Sequence, residues 1–150
     1  IGSGVSSVTV TGAFSATFDN YRIVMAGTDC SIGIGYQLQF NLGTTTFSNY
    51  GSFYYDKFDG SSTGTSRFNA TTTISCGMQS TNTDTSFSMD VFYPYAAFRT
   101  QFAGQYHGEG WSGWYAGQNT VTTPQTSFVI STSAGTMTGG RIRVYGYNNG

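Results

Sequence analysis

One stretch of the chain alternates strictly between apolar and polar residues, and this feature constrains the fold more than any other. From residue 32 to residue 42 every second residue is apolar, and the residues between them are glycine, glutamine or asparagine. Because successive side chains of a β-strand point to opposite faces, the pattern predicts a long strand with one buried face. The side chains expected in the core from this strand are those of Ile34, Tyr36, Leu38 and Phe40.

The same period of two recurs along the rest of the chain. Residues 85–93 alternate and stop at Pro94, which predicts a strand followed by a turn. Residues 20–27 are more continuously apolar, as is typical of a central strand. With the other short segments, the chain holds about nine or ten strands at the spacing of a β-sandwich or jelly roll. Further side chains expected to be buried are those of Phe87, Met89, Val91, Ile142 and Val144.

The amino-acid composition favours strands over helices. Aromatic residues make up 17% of the chain, whereas the good helix formers Ala, Leu, Glu and Lys are scarce. No segment shows a convincing helical period. The predicted fold class is therefore all-β: an antiparallel, jelly-roll-like β-sandwich with negligible helix, which occupies residues 1–150 as one domain.

The low charge of the chain narrows the range of partners. A net charge of -1 gives no basic field to hold nucleic acid or an anionic membrane, so neither is expected as a partner. The sequence also lacks an apolar run long enough for a membrane-spanning helix. Charged residues make up only 9% of the chain, as in secreted or particle-bound proteins and in β-proteins that assemble through their faces. We therefore expect a homo-oligomer.

The start of the chain and its cysteines indicate how it is made. The chain begins at Ile1 without a visible signal peptide, which indicates a processed chain or the C-terminal part of a longer one. Cys30 and Cys76 are the only cysteines and could form one disulfide in an oxidising compartment. Two reduced, buried thiols are the preferred interpretation.

Residues suited to catalysis are few. His107 lies two residues from Glu109, but no serine occupies the GxSxG context of an activated nucleophile. No pair of carboxylates is singled out as the acid and base of a glycosidase. Asp56 and Asp59 could hold a calcium ion, but their segment lacks the dense oxygen pattern of a calcium loop, and a solvated turn is preferred. The sequence also lacks a CxxC pair or a Cys/His cluster. It thus predicts a non-enzyme with no catalytic residue, metal site or cofactor.

A glycine-rich stretch between residues 104 and 117 contains both tryptophans, two tyrosines, the one histidine and the one glutamate of the chain. Aromatic rings stack on the apolar faces of sugars, while neighbouring amides and acids bind hydroxyls. We expect a loop here, at the end of a rigid sandwich, where binding groups commonly lie. The preferred interpretation is that both tryptophans anchor the core or a subunit contact, and the sugar-binding surface is the alternative. The candidate ligand-binding residues are Tyr106, His107, Glu109, Trp111, Trp114 and Tyr115.

The last predicted strand combines an apolar face with a cationic and aromatic face. Ile142 and Val144 alternate with the candidate interface residues Arg141, Arg143, Tyr145 and Tyr147. Arginine and tyrosine are enriched at protein interfaces, so this face is a candidate subunit or partner contact. Arginines on an edge strand also prevent unwanted strand pairing, and this second interpretation is kept.

Three stretches together resemble a known family. They are DNYRIVMAG followed by YQLQFNLG, then YYDKF, and finally GTMTGGRIRVYGYNNG at the end of the chain. They resemble a β-sandwich domain near the C-termini of structural proteins of tailed bacteriophages, notably those of cyanobacteria and marine bacteria. The present chain has glutamine where the second strand of that family often carries arginine, so a basic face is not carried over.

The resemblance implies a virion protein, either a tail-fibre or receptor-binding domain or a capsid-decoration or fibre domain. Such a domain is displayed on the particle, usually as a symmetric oligomer, and a trimer is favoured. The implied partners are further copies of the chain, other virion proteins and a host-surface glycan. Assembly in the host cytoplasm would leave both cysteines as thiols. The alternatives are a secreted or cell-surface carbohydrate-binding module, a filament-forming surface protein and a small hydrolase with an unrecognised site.

Overall fold

The chain forms strands and turns throughout the part that can be described. The computed structural model describes residues 1–32, 36–43, 49–57, 60–79, 81 and 85–149, and these ranges contain no helix. The twelve strands within them are β1 (Ser7–Val10), β2 (Asn20–Cys30), β3 (Gln37–Leu42), β4 (Asn49–Lys57), β5 (Thr63–Thr71), β6 (Ile74–Met78), β7 (Thr85–Phe92), β8 (Gln101–Gly108), β9 (Trp111–Asn119), β10 (Phe128–Thr132), β11 (Met137–Thr138) and β12 (Arg141–Tyr147).

The strands form two antiparallel sheets that pack face to face. The small sheet has the order β1-β10-β3-β6. The large sheet runs β2-β7-β8-β9-β4-β5, and β11 and β12 pair one after the other along the remaining edge of β2. The connections after β1, β2, β3, β5, β6, β9 and β10 lead from one sheet to the other, whereas β4–β5, β7–β8 and β8–β9 are paired within the large sheet.

The strand order is that of a jelly roll with two additions. When the strands of an eight-stranded jelly roll are numbered along the chain, its two sheets read 1-8-3-6 and 2-7-4-5. The present sheets give this order once the β8–β9 hairpin, inserted between β7 and β4, and the C-terminal strands β11 and β12 are set aside. The predicted jelly-roll-like sandwich is therefore confirmed, and the additions bring the strand count above the expected nine or ten.

The hydrophobic core lies between the two sheets. Of the side chains expected there, five are at most 3% exposed: Leu38, Phe40, Phe87, Met89 and Val91. Ile142 and Val144 are only half-buried, although they pack against the core. Their strand, β12, forms the edge of the large sheet, so its inner face is covered less completely than that of a central strand.

The long strand predicted from residue 32 is shorter in the structure. Strand β3 begins at Gln37, so Tyr36 precedes it and is 42% exposed. The prediction that Tyr36 is buried is therefore wrong. Ile34 lies outside the described residues.

Three glycines of the large sheet lie opposite a tyrosine on the neighbouring strand. In three registered pairs a tyrosine ring lies over the glycine opposite it, where a Cβ atom would collide with the ring: Tyr55 over Gly64, Tyr106 over Gly113, and Tyr115 over Gly104. Covering a strand glycine with a cross-strand aromatic ring restores packing that the missing side chain cannot give. The abundant glycine and tyrosine of the sequence are thus structurally linked.

Both cysteines are buried thiols, as preferred from the sequence. Cys30 ends β2 in the large sheet, and Cys76 lies in β6 of the small sheet. Burial raises the pKa of the Cys76 thiol because the thiolate would lose its hydration.

Candidate functional site

The segment expected to form a binding loop is a β-hairpin. Strands β8 and β9 pair along their whole length and are joined by a turn at Glu109 and Gly110. Gly110 has a φ of 71°, which suits a tight hairpin turn that other residues adopt at a cost. The expectation of a loop across residues 106–115 is wrong, because only Glu109 and Gly110 form a turn, while Gly108 and Gly113 lie in strands, the latter under a tyrosine ring.

The hairpin divides the six candidate ligand residues between two faces. Tyr106, Trp111 and Tyr115 point into the core and are 0%, 7% and 1% exposed. His107 and Trp114 point to the outer face of the large sheet, which is the face turned away from the small sheet. Glu109 is exposed in the turn. The structure thus leaves Trp114, 51% exposed, as the one tryptophan that a ligand can reach.

Trp114 is held by an aromatic neighbour on the adjacent strand. Tyr54 on β4 is its registered partner, and the two rings stack with centroids 5.7 Å apart and planes inclined by 16°. On the opposite side the registered partner of Trp114 is Gln105 of β8. The stack fixes the orientation of the indole and leaves its other side towards Gln105, so Trp114 is a preorganised ring at the surface.

An ion pair lies on the same outer face. Arg22 of β2 donates two hydrogen bonds to Asp90 of β7, from Nε to Oδ1 at 2.9 Å and from Nη2 to Oδ2 at 2.7 Å. The two residues are registered partners, and Asp90 holds the pKa of Arg22 above its usual value. Neither residue was predicted to lie in a site. Strand alternation could have placed each residue on the outer face of its strand, but it could not have shown that the two strands are neighbours.

The four candidate interface residues of β12 also lie on the outer face. Arg141, Arg143, Tyr145 and Tyr147 are all exposed. Tyr145 is the registered partner of Arg22, and the hydroxyl of Tyr147 donates a 3.4 Å hydrogen bond to Oδ1 of Asp90. Burial, and then the charge of Asp90, raise the pKa of Tyr147. The pairing of β2 with β12 and with β7 therefore places the exposed face of β12 beside the Arg22–Asp90 pair.

A groove runs along β7 on this outer face. Its floor consists of the small residues Ser86, Ser88 and Ala103. One part, of 360 Å³, lies between Trp114 and the Arg22–Asp90 pair. A second part, of 240 Å³, continues towards His107, and the two parts share Ser88 and Gln105. The depression forms because small residues of β7 and β8 point outwards between bulky side chains of the neighbouring strands, such as Arg22 and Trp114.

The groove combines one aromatic ring with fixed polar groups. Arg22 and Asp90 neutralise each other, and the floor residues and Trp114 carry no charge, so this part of the groove has no net charge. Within the described ranges, no three His, Cys, Asp or Glu side chains come close enough to hold a metal ion, and Asp59 lies outside those ranges. The arrangement is therefore suited to binding a ligand through stacking and hydrogen bonds.

No protein-family model matches the chain, and no curated protein matches it.

In the described part of the chain, no helix has the length and apolar character needed to cross a membrane.

Proposed function

We propose that the chain is a non-enzymatic structural module of a phage virion, of the tail-fibre or capsid-decoration class, which attaches to the host surface through the outer face of its large sheet. The observation that carries this proposal is the exposed Trp114 beside a groove that also holds the Arg22–Asp90 pair. The resemblance of the two ends of the sequence to phage β-sandwich domains supports the virion assignment.

The character of the outer face supports a role in attachment. Scattered exposed aromatic residues are common on soluble proteins, but Trp114, Tyr145 and Tyr147 share one face and border two depressions that are both lined by Arg22. Tryptophan, tyrosine and arginine are the residues that contribute most of the binding energy at interfaces. An exposed tryptophan at the edge of a groove that also holds an arginine favours recognition over a purely structural role.

The position of the groove within the fold also supports attachment. Its floor belongs to β7 of the basic jelly roll and to β8, while Trp114 comes from the inserted hairpin and Tyr145 and Tyr147 come from the C-terminal addition. Binding sites placed on rigid strands hold their groups more accurately than sites on loops. The two additions therefore flank a rigid surface. By fold-level analogy alone, jelly rolls occur among viral capsid and lectin domains.

Adsorption to cells tests the proposal. We expect the purified, fluorescently labelled protein to be retained by cells from a panel of bacteria that includes cyanobacteria and marine species. The substitution Trp114→Ala should reduce retention at least about tenfold, as expected for a central aromatic anchor. Phe98→Ala is the matched control, because Phe98 is 65% exposed in the connection between β7 and β8, away from the groove.

Two outcomes would contradict the proposal. Retention by none of the cells, with a normally folded protein, would remove the attachment function. Equal loss of retention in the Trp114 and Phe98 variants would show that the groove is not the contact.

A carbohydrate-binding module that acts outside a virion is the second candidate function. It is favoured by the same observation, an indole held in place by Tyr54 at the edge of a polar groove. Labelling with an antibody raised against the chain distinguishes the two. Virion particles purified from a phage lysate that carry the epitope would support the first function, whereas an epitope confined to the cell surface or the medium would support the second.

A further inference from the structure

The groove on the outer face has the chemistry of a sugar-binding site. We propose that it binds a neutral oligosaccharide, with one sugar ring stacked on Trp114 and its hydroxyls bound by Arg22, Asp90, Gln105 and Ser88. This inference rests on the proposed attachment function and names the class of its ligand.

The first argument concerns the aromatic platform. Trp114 is half-exposed, and its stack with Tyr54 occupies one side of the indole and orients it. A side chain that is already ordered loses little conformational freedom when a ligand binds. The opposite side lines the groove above Gln105. A flat, apolar, preorganised ring at the edge of a polar depression is complementary to a pyranose ring, which has apolar faces and a polar rim.

The second argument concerns the hydrogen-bonding groups opposite that ring. The guanidinium of Arg22 supplies only donors, and the carboxylate of Asp90 supplies only acceptors. Their two mutual hydrogen bonds, at 2.9 and 2.7 Å, hold both groups in one plane. A sugar hydroxyl both donates and accepts, so it can bridge such a pair. Gln105 and Ser88 add a side-chain amide and a hydroxyl between the pair and Trp114.

The third argument concerns charge. Arg22 has a carboxylate partner, and Tyr147 also donates to Asp90, so the charges at this end of the groove already cancel. The floor residues Ser86, Ser88 and Ala103 are neutral. An anionic ligand would have to displace Asp90 from Arg22, whereas a neutral polyol leaves the pair intact. At the Trp114 end of the groove, charge complementarity therefore favours a neutral saccharide.

The fourth argument concerns length. From Ser86 to Asp90 the outward positions of β7 span four residue steps of extended chain, or about 13 Å. The two parts of the groove adjoin, since Ser88 and Gln105 line both. This length fits a short oligosaccharide, with a single ring at Trp114 and further rings extending towards His107.

Direct binding measurements test the proposal. The purified protein is screened against an immobilised panel of neutral and acidic oligosaccharides, and hits are titrated by tryptophan fluorescence, since Trp114 is the exposed one of the two tryptophans. We expect neutral members to bind. Trp114→Ala and Asp90→Asn should each weaken binding at least about tenfold, while Trp114→Phe, which keeps a ring, should weaken it less. Phe98→Ala should bind like the parent protein.

The dependence on salt separates a neutral ligand from a charged one. Added salt screens exposed charges, so the affinity for a neutral saccharide should change by less than about twofold between 0.05 and 0.5 M salt. Selective binding of acidic members with a steep salt dependence would overturn the proposal, as would binding of no panel member. Binding that Trp114→Ala and Asp90→Asn leave unchanged, with melting temperatures near that of the parent, would also overturn it.

Treated cells distinguish failure of this inference from failure of the attachment function. Periodate cleaves the vicinal diols of sugars, and protease removes surface proteins. Retention that depends on Trp114 and is abolished by periodate supports the saccharide ligand. Retention that depends on Trp114 but is abolished only by protease would refute the saccharide and leave the attachment function in place.

Discussion

The phenol hydroxyl of Tyr115 donates a 2.9 Å hydrogen bond to the main-chain carbonyl oxygen of Ser88, two strands away. The ring reaches that carbonyl by passing over Gly104, its registered partner on the intervening strand. The main chain of Ser88, whose side chain forms part of the groove floor, is thereby fixed from the core side. A contact within the core thus helps to set the shape of the outer face.

The substitution Gly104→Ala should be strongly destabilising. A methyl group at residue 104 would collide with the Tyr115 ring and with the carbonyl oxygen of Ser88. Overpacking of this kind costs about 1–3 kcal/mol of unfolding free energy, measured by urea denaturation. Gly77→Ala in β6 is the control, since a methyl group there would meet Leu38 and Tyr106 at ordinary distances of 3.5 Å or more. Equal losses in the two variants would contradict the packing argument.

Two buried tyrosine hydroxyls should respond differently to removal. Tyr115→Phe removes a satisfied donor and leaves the Ser88 carbonyl without that bond, so we expect a loss of about 1 kcal/mol in unfolding free energy. The hydroxyl of Tyr106 is buried without a hydrogen-bond partner among the described residues. Tyr106→Phe should therefore leave stability within about 0.5 kcal/mol or raise it. A loss in Tyr106→Phe as large as that in Tyr115→Phe would contradict this assignment.

Much of the fold follows from alternation, because a period of two assigns each residue of a strand to one face. Residues 85–92 and 141–147 illustrate this, since their predicted inner residues face the core. The same rule separates Trp111 from Trp114, since residues three apart lie on opposite faces of a strand. That inference was missed because the surrounding glycines were taken as marks of a loop.

The Arg22–Asp90 pair illustrates what alternation cannot supply. The two residues are 68 positions apart in the sequence. They become neighbours only because β2 pairs with β7 in one register, and a single sequence does not determine which strands are neighbours in a sheet. The groove depends on this same pairing, because its lining residues come from several strands. Local sequence patterns therefore could not predict which residues line it.

Stability should fall at alkaline pH because of buried phenols. Burial raises the pKa of Tyr115 and of Tyr106, so the folded protein keeps protons that the unfolded chain releases above its tyrosine pKa of about 10. Where the folded state binds more protons, the unfolding free energy decreases as the pH rises. Urea titrations between pH 8 and pH 11.5 should show this decrease steepening above about pH 10.

The variant Tyr106→Phe provides the control for the alkaline effect. It removes one of these two phenols, Tyr106 and Tyr115, without removing a hydrogen bond formed among the described residues. The fall in unfolding free energy above pH 10 should be smaller in this variant than in the parent protein. An identical pH profile in both proteins would show that Tyr106 does not contribute.

The exposed face of β12 should form a contact between copies of the chain. The protein is expected to be a homo-oligomer, with a trimer favoured by the phage resemblance. Tyr145 is 53% exposed beside Arg22, and Arg141 and Arg143 are exposed on the same strand. Sedimentation over a range of protein concentrations measures the assembly. A monomer at the highest concentration would contradict it.

A double substitution separates the two roles considered for the arginines. If Arg141 and Arg143 belong to a subunit contact, Arg141→Ala combined with Arg143→Ala should dissociate the oligomer, because interface arginines contribute both apolar area and hydrogen bonds. If they protect the edge strand instead, removing two charges should increase association, since β12 pairs with β2 alone and its other edge is open within the described residues. Trp114→Ala, on the same face but three strands from β2, serves as the control and should leave the sedimentation profile unchanged. Dissociation assigns the arginines to the contact, and larger or polydisperse species assign them to edge protection.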